Sequence, residues 1–231
     1  MWKNPHMSTD GTGPRVIRLA VVEDEPLFRD LLTSALQASG EFVVEAAFDS
    51  GEVAFDEIVA LAPDVAVLDI NLAGTMNGVQ LGVQLRRAVP GIGITLLSSL
   101  ADPTVLASLP ADVAGGWSYL LKGSASDVES VARAIRGAAS GLMVIDPVLI
   151  AGVGRDQSGP VSRLTARQIE VLQLIAEGFT NRAIAERMYV TEKSVENHLS
   201  RVYSALDIDA SDKAMHPRVQ AVLMYLQSLQ A

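Results

Sequence analysis

The chain has 231 residues, enough for one domain or two, and either could bury a core; with 49% hydrophobic and only 5% aromatic residues, that core should be built of Leu, Val, Ile and Ala. There are no cysteines, which excludes disulfides and thiolate metal sites and fits a reducing cytoplasm, the expected location. The net charge of −9 argues against nucleic-acid binding only until it is divided: residues 15–150 hold 8 basic and 17 acidic side chains, whereas residues 151–231 hold 9 of each, leaving the second part able to present a local basic face.

Residues 1–14 lack the apolar region of a signal peptide and read as a disordered lead. No apolar run reaches the roughly 18 residues of a membrane span, so no membrane partner is expected. From 16 to 140 two patterns alternate. Short runs rich in Val, Ile and Leu stand at 16–22, 42–48, 64–70, 92–99 and 116–122, with helix-period stretches between and after them. In "PLFRDLLTSALQ" the apolar residues Leu27, Phe28, Leu31, Leu32, Ala35 and Leu36 share one face, and Gly40 closes the helix. Five strands alternating with five helices predict a doubly wound, five-stranded parallel sheet in an α/β domain over 15–141. The polar, Gly-containing "VGRDQSGPVSR" reads as a linker, placed over 142–161.

Ligands in open α/β sheets sit beyond the carboxyl ends of the strands. The first strand ends at Glu23 and Asp24, the third at Asp69, the fourth at Ser98 and the fifth at Lys122. If those strands are neighbours, the side chains converge. Several carboxylates at one edge repel one another unless a hard cation lies between them, and Mg²⁺ with oxygen ligands suits the place. Each acid taken alone has a plainer reading, since Asp and Glu are favoured in a first helical turn; that reading serves Glu25, just before Pro26.

The segment 162–231 shows no strand. It predicts an all-α, four-helix domain with helices near 165–177, 181–188, 192–206 and 216–229. Thr165 with Gln168 forms a capping-box pattern, and Thr180 and Thr191 stand at the starts of the next two helices. Val195, Leu199, Val202 and Leu206 make a buried stripe, opposite Lys193, Glu196, Asn197, Ser200 and Arg201. Two short helices joined by a tight turn at Tyr189–Val190, the second with a polar outer face, fit a helix-turn-helix; an ordinary bundle with a solvated face has the same amphipathicity.

On "VVEDEP", "DVAVLDINLAGTMNG", "LLSS" and "YLLKG", residues 16–140 resemble the flavodoxin-like receiver domain of two-component response regulators. The resemblance implies that Asp69 is the phospho-acceptor. It implies that Glu23, Asp24, Asp69 and the backbone carbonyl of Asn71 hold Mg²⁺, that Lys122 is the pocket lysine, and that Ser98 and Tyr119 are the switch pair. Residues 162–210 resemble the LuxR-type helix-turn-helix, on "LTARQIEVL", "IAEGFTNRAIAERMYVT" and "SVENHLSRVYSAL". The whole chain is similar to NarL/FixJ-type regulators. Base-reading positions then fall on Glu196, Asn197 and Ser200, and backbone contacts on Arg182, Thr191, Lys193 and Arg201. His198 is assigned a structural or phosphate-contact role.

The resemblance has departures. The acid pair is Glu-Asp where Asp-Asp is usual, Ala73 replaces a common Pro, and the loop after Asp69 carries an extra residue near Thr75. Ser98 replaces the commoner Thr, and "DASDKAMH" is inserted before the last helix. The function implied is a DNA-binding transcription regulator, not an enzyme, switched by Mg²⁺-dependent phosphorylation. A sensor histidine kinase and double-stranded DNA are the partners, and the chain is a homodimer. An alternative is a receiver serving as a phosphorylation-independent dimerisation module. A phosphatase of the haloacid-dehalogenase type is disfavoured, because it needs a second acid where Asn71 stands.

Overall fold

The computed structural model describes residues 16–102, 104–107, 109–151, 159–209 and 215–229. Its strands are β1 (Ile17–Val22), β2 (Phe42–Phe48), β3 (Val65–Asp69), β4 (Gly93–Ser98), β5 (Trp117–Leu121) and β6 (Val144–Ile145), in the order β2-β1-β3-β4-β5-β6 and all parallel. Every residue of β3 and β4 is buried, as central strands covered on both faces require. The edge strand β2 alternates instead. Helices α1 (Pro26–Ala38), α2 (Gly51–Leu61), α3 (Gly78–Ala88), α4 (Thr104–Ala107) and α5 (Val128–Ala139) form the crossovers and cover the two faces.

The sequence predicts five strands, and the sheet has six. Val144 pairs with Ser118 and Ile145 with Tyr119, inside the stretch expected to be a linker. A two-residue strand is too short to leave a periodic signal. Asp146 fixes it: wholly buried, it accepts the Leu121 N–H at 3.0 Å and the Val148 N–H at 2.9 Å. The first bond extends the sheet edge, and the second satisfies the start of the short helix α6 (Pro147–Ala151). Met143, Val144, Ile145 and Leu149 are all buried, so the start of 142–161 is part of the sheet layer.

After a tight turn (Pro160–Arg163) come α7 (Ala166–Ala176), α8 (Asn181–Met188), α9 (Glu192–Ala205) and α10 (Pro217–Ser228). The caps are those the sequence predicts: Thr165 and Gln168 complete a capping box, Thr180 accepts from Ala183 N–H, and Thr191 accepts from Ser194 N–H. Val195, Leu199, Val202 and Leu206 are all buried. The turn between α8 and α9 is made by Tyr189 in the left-handed region.

The two parts touch. α10 lies against α4, and α7 against β6. Leu106, Met143, Ile145 and Leu149 join Ile175, Val222 and Leu226 in one continuous apolar cluster. At its polar edge the Phe179 ring meets two guanidiniums, Arg187 at 3.8 Å and Arg133 of α5 at 4.9 Å. Glu177 lies beside them, where burial raises its pKa against the pull of Arg133 and Arg187. The expected lead, the middle of the expected linker (152–158) and residues 210–214 of the insertion lie outside the described residues. Among the described residues no helix is long and apolar enough to cross a membrane.

Candidate functional site

The strand order makes β1, β3, β4 and β5 consecutive neighbours, so their carboxyl ends share one edge. Glu23, Asp24 and Asp69 meet there, with one carboxylate oxygen from each lying within 4.8 Å of the others. Glu23 and Asp69 are buried, and Asp24 is partly open. The Lys122 ammonium reaches in from β5, donating to Glu23 Oε1 at 2.8 Å and Asp69 Oδ2 at 3.1 Å.

Three carboxylates thus face one ammonium. That formal excess of two negative charges is unfavourable away from water. Burial raises the Glu23 pKa, with the Lys122 hydrogen bond opposing it and the charge of Asp69 adding to it. Burial alone would lower the Lys122 pKa, yet its bonds to Glu23 and Asp69 outweigh burial and raise it. Glu23 Oε2 lies 2.8 Å from the ammonium but receives no directed hydrogen bond, and it is buried. Three carboxylates whose oxygens converge, with negative charge in excess of the one ammonium, fit a hard divalent cation.

The backbone around these acids is fixed. Arg29 donates to the Glu23 carbonyl at 2.6 Å, and the Glu23 N–H donates to the Phe48 carbonyl at 3.0 Å. The Asn71 N–H donates to Asp69 Oδ1 at 3.2 Å. Gly78 opens α3 directly against the Asp69 carbonyl, and a side chain there would collide with it. Its N–H donates to Ile70 O at 3.1 Å, closing the loop after Asp69 on itself.

Ser98 and Tyr119 are buried and converge on a different atom. Both hydroxyls donate to the Leu100 carbonyl at 2.8 Å, and Tyr119 also accepts the Asp102 N–H at 3.3 Å. The structure therefore brings Glu23, Asp24, Asp69 and Lys122 together, while the Ser98 hydroxyl is turned to the β4–α4 loop. That loop leads into α4, the element that meets α10.

In the helical part, Lys193, Glu196, Asn197, Ser200 and Arg201 are all exposed along α9, and His198 is half-buried. Two of the positive charges are locally matched: Lys193 pairs with Glu196 at 2.9 Å and Arg182 with Glu186 at 3.1 Å. The Thr191 hydroxyl is engaged as the cap of α9, and the Ser200 hydroxyl donates to the Glu196 carbonyl at 3.0 Å. Sequence reasoning missed Asp146, although Asp before Pro is a helix-start signal. It also missed Arg133 and Phe179, whose meeting depends on how the two parts dock.

Comparison with known proteins finds two family models. One, "Response regulator receiver domain", matches residues 19–146; the other, "Bacterial regulatory proteins, luxR family", matches residues 162–224. The chain is similar to the transcriptional regulatory protein LnrK of Bacillus subtilis, 30% identical over 222 residues, covering 90% of this chain and 96% of the relative. It is also similar to the probable transcriptional regulatory protein NarL of Mycobacterium tuberculosis, 34% identical over 205 residues, covering 87% and 92%. Among solved structures, one of two RcsB dimers bound to two parallel DNAs aligns with a TM-score of 0.50 at 18% identity, covering 94% of this chain and all of that one; a likeness at that identity speaks for the fold.

Proposed function

The chain belongs to the response regulators that join a receiver domain to a LuxR-family DNA-binding domain, and from that premise we propose that Asp69 is its phospho-acceptor and that phosphorylation governs DNA binding by the helical part. The observation that carries this reading is the convergence of Glu23, Asp24, Asp69 and Lys122 on one strand edge. An Asp69 carboxylate oxygen attacks phosphorus, a P–O bond forms, and the bond to the donor's leaving group breaks. Lys122, already 3.1 Å from Asp69, neutralises charge on the phosphoryl oxygens. Glu23, Asp24, Asp69 and the Asn71 carbonyl would hold Mg²⁺, which when bound supplies further neutralisation of the phosphoryl charge. The donor is a sensor histidine kinase. The apolar groove beside Lys122, lined by Phe28, Leu31, Leu32, Val128 and Val131, supports an approach to the pocket over α1 and α5.

Ser98 is the switch hydroxyl. Turning to a phosphoryl oxygen, it gives up the Leu100 carbonyl and leaves Tyr119 as the remaining hydroxyl on that atom. The β4–α4 loop loosens, and with it the seat of α10 on α4. The freed helical part dimerises on double-stranded DNA. Asn197 and Glu196 read bases with Ser200 beside them, and Arg182, Thr191, Lys193 and Arg201 contact the backbone. The receiver runs to Ala151 and the DNA-binding domain begins by Val161. The protein works in the cytoplasm as a regulator without turnover of its own.

The test is DNA affinity with and without acetyl phosphate. The wild-type protein should bind more tightly when phosphorylated, and Asp69→Asn should not respond. An equal response in Asp69→Asn would overturn the assignment. The alternative, a receiver that dimerises without phosphate, is favoured by one observation: Lys122 already partly neutralises Glu23 and Asp69. It predicts the same DNA affinity for wild type and Asp69→Asn under all conditions.

A further inference from the structure

The loop between Asp69 and α3 is fastened from outside by a residue that the phosphoryl chemistry does not use. Glu52, in the first turn of α2, directs a single oxygen, Oε1, at the apex of that loop. It accepts the Thr75 N–H at 2.7 Å, the Thr75 hydroxyl at 2.7 Å and the Met76 N–H at 3.1 Å. Gly74 has φ +118, and a Cβ there would stand 2.8 Å from the same oxygen, so the loop is shaped around this carboxylate. The neighbouring Gly51 lies so close to Met76 that a Cβ would come within 3.1 Å of its carbonyl oxygen. The inner leg of the loop is set by Gly78 against Asp69 and by the Asn71 N–H on Asp69 Oδ1. The acid pair shares this anchorage, because the Glu23 N–H is bonded to Phe48, the last residue of β2 before α2. The β2–α2 junction thus holds both walls of the pocket. Without Glu52, a loop one residue longer than usual would have two backbone N–H groups and one hydroxyl at its apex bonded only to water.

We propose that Glu52 is a positioning residue: by holding the apex at Thr75 and Met76 it fixes where the Asn71 carbonyl stands opposite Glu23, Asp24 and Asp69, and so sets the affinity of the pocket for Mg²⁺. The inference rests on reading the pocket as a Mg²⁺-dependent phospho-acceptor. Glu52 is exposed and outside the core, so its removal leaves the fold in place. Thr75→Val removes one of the three donors and keeps every charge, which separates loop position from the loss of a nearby negative charge.

The experiment is calorimetric titration of the full chain with Mg²⁺, for wild type, Glu52→Ala, Glu52→Gln and Thr75→Val. Intact-mass time courses with acetyl phosphate are run alongside at several Mg²⁺ concentrations. Glu52→Ala should weaken Mg²⁺ about tenfold, the low end of the range for a residue supporting ligands from behind. Glu52→Gln and Thr75→Val should weaken it less, and phosphoryl uptake at saturating Mg²⁺ should match wild type in all of them. An unchanged Mg²⁺ Kd in Glu52→Ala, with slower uptake at every Mg²⁺ concentration, would reduce Glu52 to a structural role and overturn the proposal. A weakened Kd in Glu52→Ala with none in Thr75→Val would assign the effect to charge and overturn it as well. If the wild-type protein itself neither binds Mg²⁺ nor takes up phosphoryl, the reading of the pocket fails first, and the inference with it.

Discussion

The pocket and the outer face of α9 handle charge in opposite ways. In the pocket, Glu23, Asp69 and Lys122 come from three strands up to 99 residues apart, are mostly buried, and leave negative charge in excess. In the helical part, two cations are matched by acids three or four residues away on the same helix, Lys193 by Glu196 on α9 and Arg182 by Glu186 on α8, all exposed to solvent. The first arrangement is made by the fold and fails as a unit. The second is made by local spacing, is screened by water and salt, and can be altered one residue at a time.

The largest expected effect tests the unit in the pocket. Lys122→Ala leaves the Glu23 and Asp69 carboxylates buried without their cation, and breaking such an arrangement costs about 3–5 kcal/mol. Urea unfolding in a chelator should show the loss, and added Mg²⁺ should recover much of it, since a cation could then take the place of the ammonium. A loss that Mg²⁺ leaves untouched would mean that the lysine packs rather than neutralises.

Next comes the connection between the two regions. Leu106 of α4 is buried in the cluster shared with the helical part. Leu106→Ala should lower stability by about 2–5 kcal/mol. It should also raise the DNA affinity of the unphosphorylated protein towards that of the phosphorylated form, because α10 loses its seat. Normal phosphate dependence in this variant would show that the contact between α4 and α10 does not restrain the DNA-binding part.

Smaller effects belong to the helical face. Asn197→Ala should cost about 1–3 kcal/mol of discrimination between operator and random DNA. Glu196→Gln should do the reverse for random DNA: it frees Lys193 for phosphate, tightens binding and steepens the salt dependence by about one unit of slope. Equal affinities for wild type and Glu196→Gln at low salt would contradict the local matching of charge.

The smallest effect is a pH dependence. The Thr75 hydroxyl, the backbone N–H of Glu52 itself and those of Thr75 and Met76 hold the Glu52 carboxyl down to about 2, from an ordinary value of 4.5. A folded pKa below the unfolded one gives stability that is fully present above pH 4.5 and is lost as pH falls towards about 2. The gap in urea midpoint between wild type and Glu52→Gln should therefore hold steady above that window and close within it.

The contrast between the regions also explains what could be read from the sequence. The central strands were legible because both of their faces are buried, and their runs are mostly apolar, with Thr95 the one polar residue inside β3 and β4 before their ends. The helical caps at Thr165, Thr180 and Thr191 were legible because a cap bonds residues three positions away. Convergence of the acids followed from one assumption about strand neighbours, and the sheet order meets it. β6 was not legible, because two residues carry no period and its anchor, Asp146, bonds across the sheet edge to Leu121. The turn of the Ser98 hydroxyl to Leu100, the grip of Glu52 on Thr75 and the stacking of Arg133 on Phe179 were hidden for the same reason: each depends on where a side chain points after distant segments have packed.

The central claim is that Asp69 accepts a phosphoryl group in a pocket that requires a divalent cation. Intact-mass measurement after incubation with acetyl phosphate, with Mg²⁺ or with a chelator, tests it most directly. The account predicts one phosphoryl group on the wild-type chain with Mg²⁺, none in chelator, and none on Asp69→Asn in either condition. Equal uptake by Asp69→Asn, or uptake that ignores Mg²⁺, would contradict it.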